Sequence, residues 1–192
     1  MSAFRLNVSL ILVSTILFLA VFVANEVLFN STQFEFVRGV NWIYLPAGMR
    51  LLCTLAFGGA GAIGVLIASW ITCVFYFFPN DPLRSFAGGI ASAAAPYLVY
   101  KLAQNLYNLE PSLTNLSSKR LLLLALVYSL ANPSLHHLWL LLRGDPVDGN
   151  GFFVMVIGDL LGTLVVLYSI KALLSLLPGA KNLKKIHDHG SR

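Results

Sequence analysis

Two residues of opposite charge, Arg50 and Asp159, lie inside long apolar stretches of the sequence. Neither is near enough to a predicted helix end for its side chain to reach water easily. Burying one such charge alone in hydrocarbon costs at least about 2.5–3.5 kcal/mol. Each charge therefore needs a partner, and the simplest partner is the other one. An ion pair between them would fasten two distant segments of the chain together.

A second interpretation gives the two charges a role in binding. Pro46 suits the first turn of a helix, whose unpaired N–H groups carry positive partial charge about one turn before Arg50. A small anionic ligand would compete with Asp159 for Arg50 and this helix start, and so change how the two helices pack. A third interpretation centres a proton or cation site on Asp159. The sequence leaves all three alternatives open.

Small residues near both charges predict close contacts between helices. A Trp-x-x-x-Pro-x-Gly run precedes Arg50, and a Gly-Asp-x-x-Gly run contains Asp159. Rows of small residues at four-residue spacing let helix backbones approach each other. The residues predicted to bind a ligand are Trp42, Pro46, Gly48, Arg50 and Asp159, and those predicted to pack helices are Ala60, Gly64, Ala68, Gly158 and Gly162. Another row, formed by Tyr128, Asn132 and His136, is predicted either to line a cavity or to bond neighbouring helices.

The elements that position these residues are predicted from composition. The chain has 192 residues, of which 57% are apolar and 11% charged, with a mean hydropathy of +0.77. An ordinary soluble domain has roughly a quarter of its residues charged. Since a transmembrane helix needs about 20 apolar residues, we predict an all-α polytopic transmembrane helix bundle of about six spans. It forms a single domain over residues 1–178, with a short basic tail at 179–192.

The second span is the least regular one. Residues 37–57 are just long enough to cross a bilayer, and Pro46 predicts that this segment is kinked or partly re-entrant. Six crossings put both termini in the cytoplasm, together with most of the basic residues, and leave Arg38, Arg84 and Arg143 outside. A re-entrant segment moves only the N-terminus. We therefore predict a multi-pass protein of the inner (cytoplasmic) membrane with a cytoplasmic C-terminus.

Several classes of function are disfavoured. The formal net charge of +5 comes from basic residues at span ends and in the tail, a distribution typical of lipid-embedded proteins rather than of nucleic-acid binding. Cys53 and Cys73 are predicted to be buried packing residues. The chain has no Walker loop, nucleophile elbow or Cys-x-x-Cys motif, and the adjacent His136 and His137 point about 100° apart on a helix. We predict no catalytic residue, no metal site and no cofactor.

The run of Trp42, Pro46 and Gly48, with Gly58, Gly64 and the late Gly158-Asp159-x-x-Gly162, resembles the bacterial MASE-type membrane-associated sensor domains. That resemblance implies sensory input across the inner membrane and a signalling partner protein. The sequence differs from the family in having about six spans where eight are typical, and in Arg50. Without a cytoplasmic output module in the given sequence, we expect a stand-alone, non-catalytic sensor.

Two alternatives come from other classes. The length and the Gly-Asp-x-x-Gly helix are also similar to the substrate-binding subunits of energy-coupling-factor vitamin transporters, which implies a small-solute transporter subunit with a transport partner. A structural accessory subunit of a membrane complex is the third reading. It predicts that Arg50 and Asp159 tolerate any substitution that preserves packing.

Overall fold

The computed structural model describes residues 3–30, 34–110, 113 and 115–176. They form five α-helices and one small antiparallel β-hairpin. The predicted basic tail at 179–192 lies outside the described residues. In chain order the elements are α1 (Ala3–Asn25), β1 (Glu35–Val37), β2 (Val40–Asn41), α2 (Leu45–Thr72), α3 (Pro82–Tyr107), α4 (Ser118–Arg143) and α5 (Gly149–Leu176). Single π-helical turns, Glu26–Asn30 and Cys73–Phe77, extend α1 and α2.

The distribution of polar residues suits a protein embedded in a bilayer. Four helical segments are long and apolar enough to cross one, namely Phe4–Phe29, Leu45–Phe77, Ser118–Arg143 and Gly149–Leu173. Many large apolar side chains are exposed on their outer faces, whereas Asn25, Arg50, Asn132 and Asp159 are buried between helices. Lipid favours this arrangement because it offers polar groups no hydrogen bonds. The predicted all-helical, membrane-compatible architecture is confirmed.

The backbone of α2 reverses its direction at Gly58. This glycine has φ 57° and ψ −130°, a backbone conformation that residues other than glycine rarely adopt. A β-carbon at Gly61 would collide with the carbonyl of Cys53, although a straight helix would separate these residues by about 12 Å. Ser14 of α1 lies against both Cys53 and Gly64. Residues 45–57 and 59–77 therefore form a helical hairpin.

Pro46 lies in the first turn of α2 rather than at a break within it. Its missing N–H costs nothing there, since the first N–H groups of a helix have no partner inside the helix. The helix start is held from two sides. The Leu45 N–H donates to Asn25 Oδ1 at 2.9 Å, and the Tyr44 N–H donates to the Gly158 carbonyl at 3.0 Å. The predicted kink at Pro46 is not confirmed, and the described irregularity of this segment is at Gly58.

Glycines allow the helices to cross closely. Gly64 lies against the backbone of α1 at Ile11, and Gly48 lies against α5 at Thr163. Gly158 and Gly162 meet the carbonyls of Asn41 and Tyr44, which belong to the segment that leads into α2. Of the other residues predicted to pack helices, Ala68 is buried and Ala60 is partly buried. These contacts place α2 between α1, α3 and α5, while α4 packs on α3 and α5.

Candidate functional site

A cavity of about 290 Å³ reaches from one end of the bundle to its buried charges. Its outer part is lined by Arg38, Arg84 and Asp148, which are exposed or half-buried. Its inner part is lined by the buried polar residues Asn41, Arg50, Ser92, Asn132 and Asp159. We refer to this space, from Arg38 to Asp159, as the polar cavity. Its aromatic and apolar wall includes Tyr44, Phe77, Phe78 and Met155.

Arg50 supplies the positive charge of the inner part. It lies in the second turn of α2 and is 4% exposed. The central carbon of its guanidinium lies 5.2 Å from the ring centre of Phe18 and 5.3 Å from that of Tyr44. Ring faces attract a cation and so offset part of the burial cost. The hydroxyl of Tyr128 is also close, but neither this hydroxyl nor Arg50 Nε has a hydrogen-bond partner of good geometry among the described residues.

Asp159 supplies the negative charge from α5 and is 2% exposed. Its Oδ2 accepts a hydrogen bond of 2.7 Å from Asn132 Nδ2 on α4. Within the described part of the chain, the ion pairs with an N–O distance of 4.0 Å or less both involve Arg143. Arg50 and Asp159 therefore line the same cavity without the direct ion pair that is the simplest prediction from the sequence.

The other residues predicted to bind a ligand do not line the polar cavity. Gly48 and Pro46 are buried where α2 contacts α5, and Trp42 lies in the segment before α2 with 37% of its surface exposed. The segment that contains Trp42 instead positions two neighbouring residues, Asn41 and Tyr44. The carbonyl of Asn41 lies against Gly158, and the carbonyl of Tyr44 lies against Gly162. These contacts place Asn41 and Tyr44 at the cavity.

Two of the three residues in the predicted polar row on α4 face the cavity, whereas Tyr128 is buried outside its lining and its hydroxyl has no partner among the described residues. Asn132 and His136 line the polar cavity, and Asn132 also bonds Asp159. His136 Nε2 lies 3.3 Å from the Ser92 hydroxyl of α3. The four-residue spacing was the signal for this row. Asn41, Tyr44 and Ser92 carry no comparable signal, because only the folded chain brings them to the cavity.

Polar atoms without partners are concentrated around this space. Among the described residues, the buried atoms Asn41 Oδ1, Arg50 Nε, Asn132 Oδ1 and Trp139 Nε1 have no hydrogen-bond partner, and all four residues line the polar cavity. Leaving a buried donor or acceptor unpaired costs about 1–3 kcal/mol. Such a cluster is expected where a ligand or ordered water completes the bonds.

The geometry supplies no obvious metal centre in the described part of the chain, where no three His, Cys, Asp or Glu side chains are grouped so that they could hold an ion. Cys53 and Cys73 are free and buried. The Nδ1 atom of His137 lies 2.9 Å from the carbonyl oxygen of Pro133, so this ring is fixed to its own helix.

No family model, curated protein or solved structure matches the chain. The resemblance to MASE-type sensor domains and the weaker one to transporter subunits therefore stay predictions.

Proposed function

We propose that this chain is a non-catalytic sensory protein of the bacterial inner membrane that binds a small ligand in the polar cavity. The observation that carries the proposal is the burial of Arg50 and Asp159 in one cavity without a direct ion pair. Burying two charges without pairing them costs free energy, so each charge needs another partner. A ligand with an anionic group supplies one for Arg50.

The proposal includes six crossings. The segment 37–57, which includes the first half of the helical hairpin, and the segment 59–77 cross in opposite directions, and α1, α3, α4 and α5 supply the other four crossings. The cavity then opens on the face that carries Arg38, Arg84 and Arg143, while the opposite face carries Arg5, Lys119, Arg120 and Lys171. The greater number of basic residues on that opposite face favours placing it, with the C-terminus, in the cytoplasm.

Sensing is explained by the helices that meet at the cavity. A ligand bound to Arg50 of α2 and to Asp159 of α5 also engages α4, because Asn132 is bonded to Asp159. Ligand binding then favours one relative placement of α2 and α5 over others. A signalling partner protein in the membrane or cytoplasm would read this change.

A small-solute transporter subunit is the second candidate, and the size of the polar cavity is compatible with it as well. Its volume of about 290 Å³ suits a small metabolite, since ligand cavities are typically about 300–1,000 Å³. A transporter subunit would need the same cavity, but a partner that hydrolyses ATP.

Mass spectrometry of the proteins and small molecules that co-purify with the gently extracted chain separates these functions. A signalling enzyme together with a bound metabolite is the expected result. ATPase subunits with a bound metabolite would replace the sensor by the transporter. A large assembly without any bound small molecule would overturn both and favour the structural accessory role.

A further inference from the structure

We propose that the ligand of the polar cavity is a small zwitterion, with a carboxylate that binds Arg50 and a primary ammonium that binds Asp159. Free amino acids are the chemical class that fits. The inference rests on the proposed function, because it assumes that the cavity holds a ligand, and it goes further by assigning each charge of that ligand to a side chain.

The carboxylate end follows from Arg50. Ring faces of Phe18 and Tyr44 compensate its charge but accept no hydrogen bond from Nε, which stays unpartnered among the described residues. Guanidinium groups bind carboxylates through parallel N–H donors with matching geometry. Arg38 and Arg84 at the outer part of the cavity would attract the same end of the ligand during entry.

The ammonium end follows from three acceptors on residues that line the same cavity. Asp159 offers its carboxylate, and Asn132 is turned by its 2.7 Å bond to Asp159 so that Nδ2 is used and Oδ1 has no partner among the described residues. Asn41 Oδ1 is the third acceptor, on a residue whose backbone carbonyl abuts Gly158, next to Asp159 in the chain. A primary ammonium has three N–H donors. The set therefore matches one ammonium group.

Charge balance disfavours ligands with a single charge. An inorganic anion at Arg50 would leave Asp159 and two amide oxygens unsatisfied, and a bare cation at Asp159 would leave Arg50 unsatisfied. A zwitterion pairs both charges and keeps the buried region neutral. The wall of Phe77, Phe78 and Met155 offers an apolar surface to a ligand side chain.

The test uses the wild-type protein in lipid nanodiscs and matched sets of ligands. One set is L-alanine, propionate and ethylammonium, and the other is L-leucine, 4-methylpentanoate and 3-methylbutylammonium, with inorganic phosphate as a further probe. Thermal unfolding and calorimetry report binding. An amino acid is expected to raise the unfolding temperature, while its two fragments bind roughly 30-fold or more weakly, the cost of losing one buried charge partner.

Equal binding of a carboxylate fragment or of phosphate would overturn the zwitterion and leave an anion site, so the proposed ligand-binding function would survive. If none of the twenty common amino acids binds at millimolar concentration, the zwitterion inference also fails. The presence or absence of a co-purified metabolite then tests the proposed function separately.

Variants assign the two ends. Asp159→Asn is expected to remove the preference for the amino acid over its carboxylate fragment, whereas Lys101→Gln, on α3 outside the cavity lining, is expected to leave it unchanged. Asn41→Leu, which removes one acceptor and keeps the branched shape of the side chain, is the second variant in case Asp159→Asn does not fold. An unchanged preference in both folded variants would contradict the assignment.

Discussion

The two halves of the helical hairpin each cross a neighbouring helix at a glycine. Segment 45–57 crosses α5 at Gly48, and segment 59–77 crosses α1 at Gly64. The two crossings are equally tight. A β-carbon at Gly48 would lie 2.8 Å from Thr163 Cα, and one at Gly64 would lie 2.5 Å from the Ile11 carbonyl oxygen. They differ in the polar groups beside them.

Near the second crossing, where Gly64 meets α1, the polar side chains of Thr15 and Trp70 are hydrogen-bonded to backbone carbonyls. The Thr15 hydroxyl lies 2.9 Å from the Ile11 carbonyl and 3.1 Å from that of Gly64, and Trp70 Nε1 donates to the Phe86 carbonyl at 3.0 Å. The buried hydroxyl of Ser69 is an exception. Near the first crossing, Arg50 Nε, Tyr128 Oη and Thr163 Oγ1 all lack partners among the described residues.

This difference separates a structural contact from a site. Both crossings use the same device, a glycine under a neighbouring helix, so close packing alone does not indicate function. Unpaired buried donors and acceptors are costly, and a fold that keeps several in one place has a reason to do so. Segment 59–77 holds the bundle together, and segment 45–57 presents the charge.

The largest expected effect comes from removing the two charges. Arg50→Gln and Asp159→Asn should each weaken binding of the co-purified ligand by about 2–5 kcal/mol, since each leaves one charge of the site without its partner. The double variant should lose less than the sum, because the two side chains act on one ligand and on each other. Titration calorimetry on all four proteins measures the coupling. Strict additivity would show that the two residues act independently.

Enlarging the two glycines comes next and tests the comparison directly. Gly48→Val and Gly64→Val should each destabilise the protein by about 3 kcal/mol, because even a β-carbon lacks space at either crossing. Gly48→Val should in addition weaken ligand binding, since it pushes α5 and Asp159 away from α2. Gly59→Val is the matched control, as a β-carbon there meets nothing within 4 Å. Thermal unfolding and ligand binding are measured on each, and equal loss of binding in the Gly48 and Gly64 variants would remove the distinction between the halves.

The third prediction concerns the residue that separates the halves. Gly58→Ala should destabilise the fold by about 1–3 kcal/mol, because φ 57° with ψ −130° is strained for alanine and the new methyl group would approach the Tyr100 hydroxyl at 2.9 Å. Gly59→Ala, one residue later, should be neutral or slightly stabilising. Denaturant unfolding in mixed micelles compares the two. Similar stabilities would mean that the reversal at Gly58 tolerates other conformations.

How far the sequence alone predicts this molecule differs between its elements. Apolar runs indicate helices directly, because each helix satisfies its own backbone in lipid. Burial of Arg50 and Asp159 also follows from their position in those runs. The reversal at Gly58 agrees with the end of the second predicted span at residue 57, although hydropathy alone is the same for one long helix and for two short ones. Pro46 was predicted both to begin a helix and to kink the segment, and the structure agrees with the helix start but not with the kink.

The composition of the polar cavity is predicted only in part, for a related reason. Four-residue spacing places Asn132 and His136 on one face of α4, but no pattern indicates that this face meets α5 at Asp159. Asn41 and Ser92 come from different segments and reach the cavity only through the packing of α2, α3 and α5. Trp42, Pro46 and Gly48 were predicted as ligand contacts, and they are not among the residues that line the polar cavity.

The smallest effect is expected from two isosteric changes, one at each crossing. Thr15→Val removes the hydroxyl that bonds the Gly64 carbonyl and should cost about 0.6 kcal/mol, the average for a hydrogen bond between membrane helices. Thr163→Val removes a fully buried hydroxyl that has no partner among the described residues. It should leave stability unchanged or raise it by up to about 1 kcal/mol, because no bond is lost and a desolvation cost disappears.

Thermal unfolding in nanodiscs, without and with saturating co-purified ligand, measures both changes. Thr15→Val should lower the unfolding temperature by the same amount in either condition, because its bond belongs to the scaffold. A loss of stability in Thr163→Val that appears only with ligand would give this hydroxyl a partner in the bound state, and would extend the site from the polar cavity into the α2–α5 crossing. A loss of stability in both conditions would show that the hydroxyl contributes to the unliganded fold. This would contradict the view that the polar groups at the first crossing gain their partners only when a ligand binds.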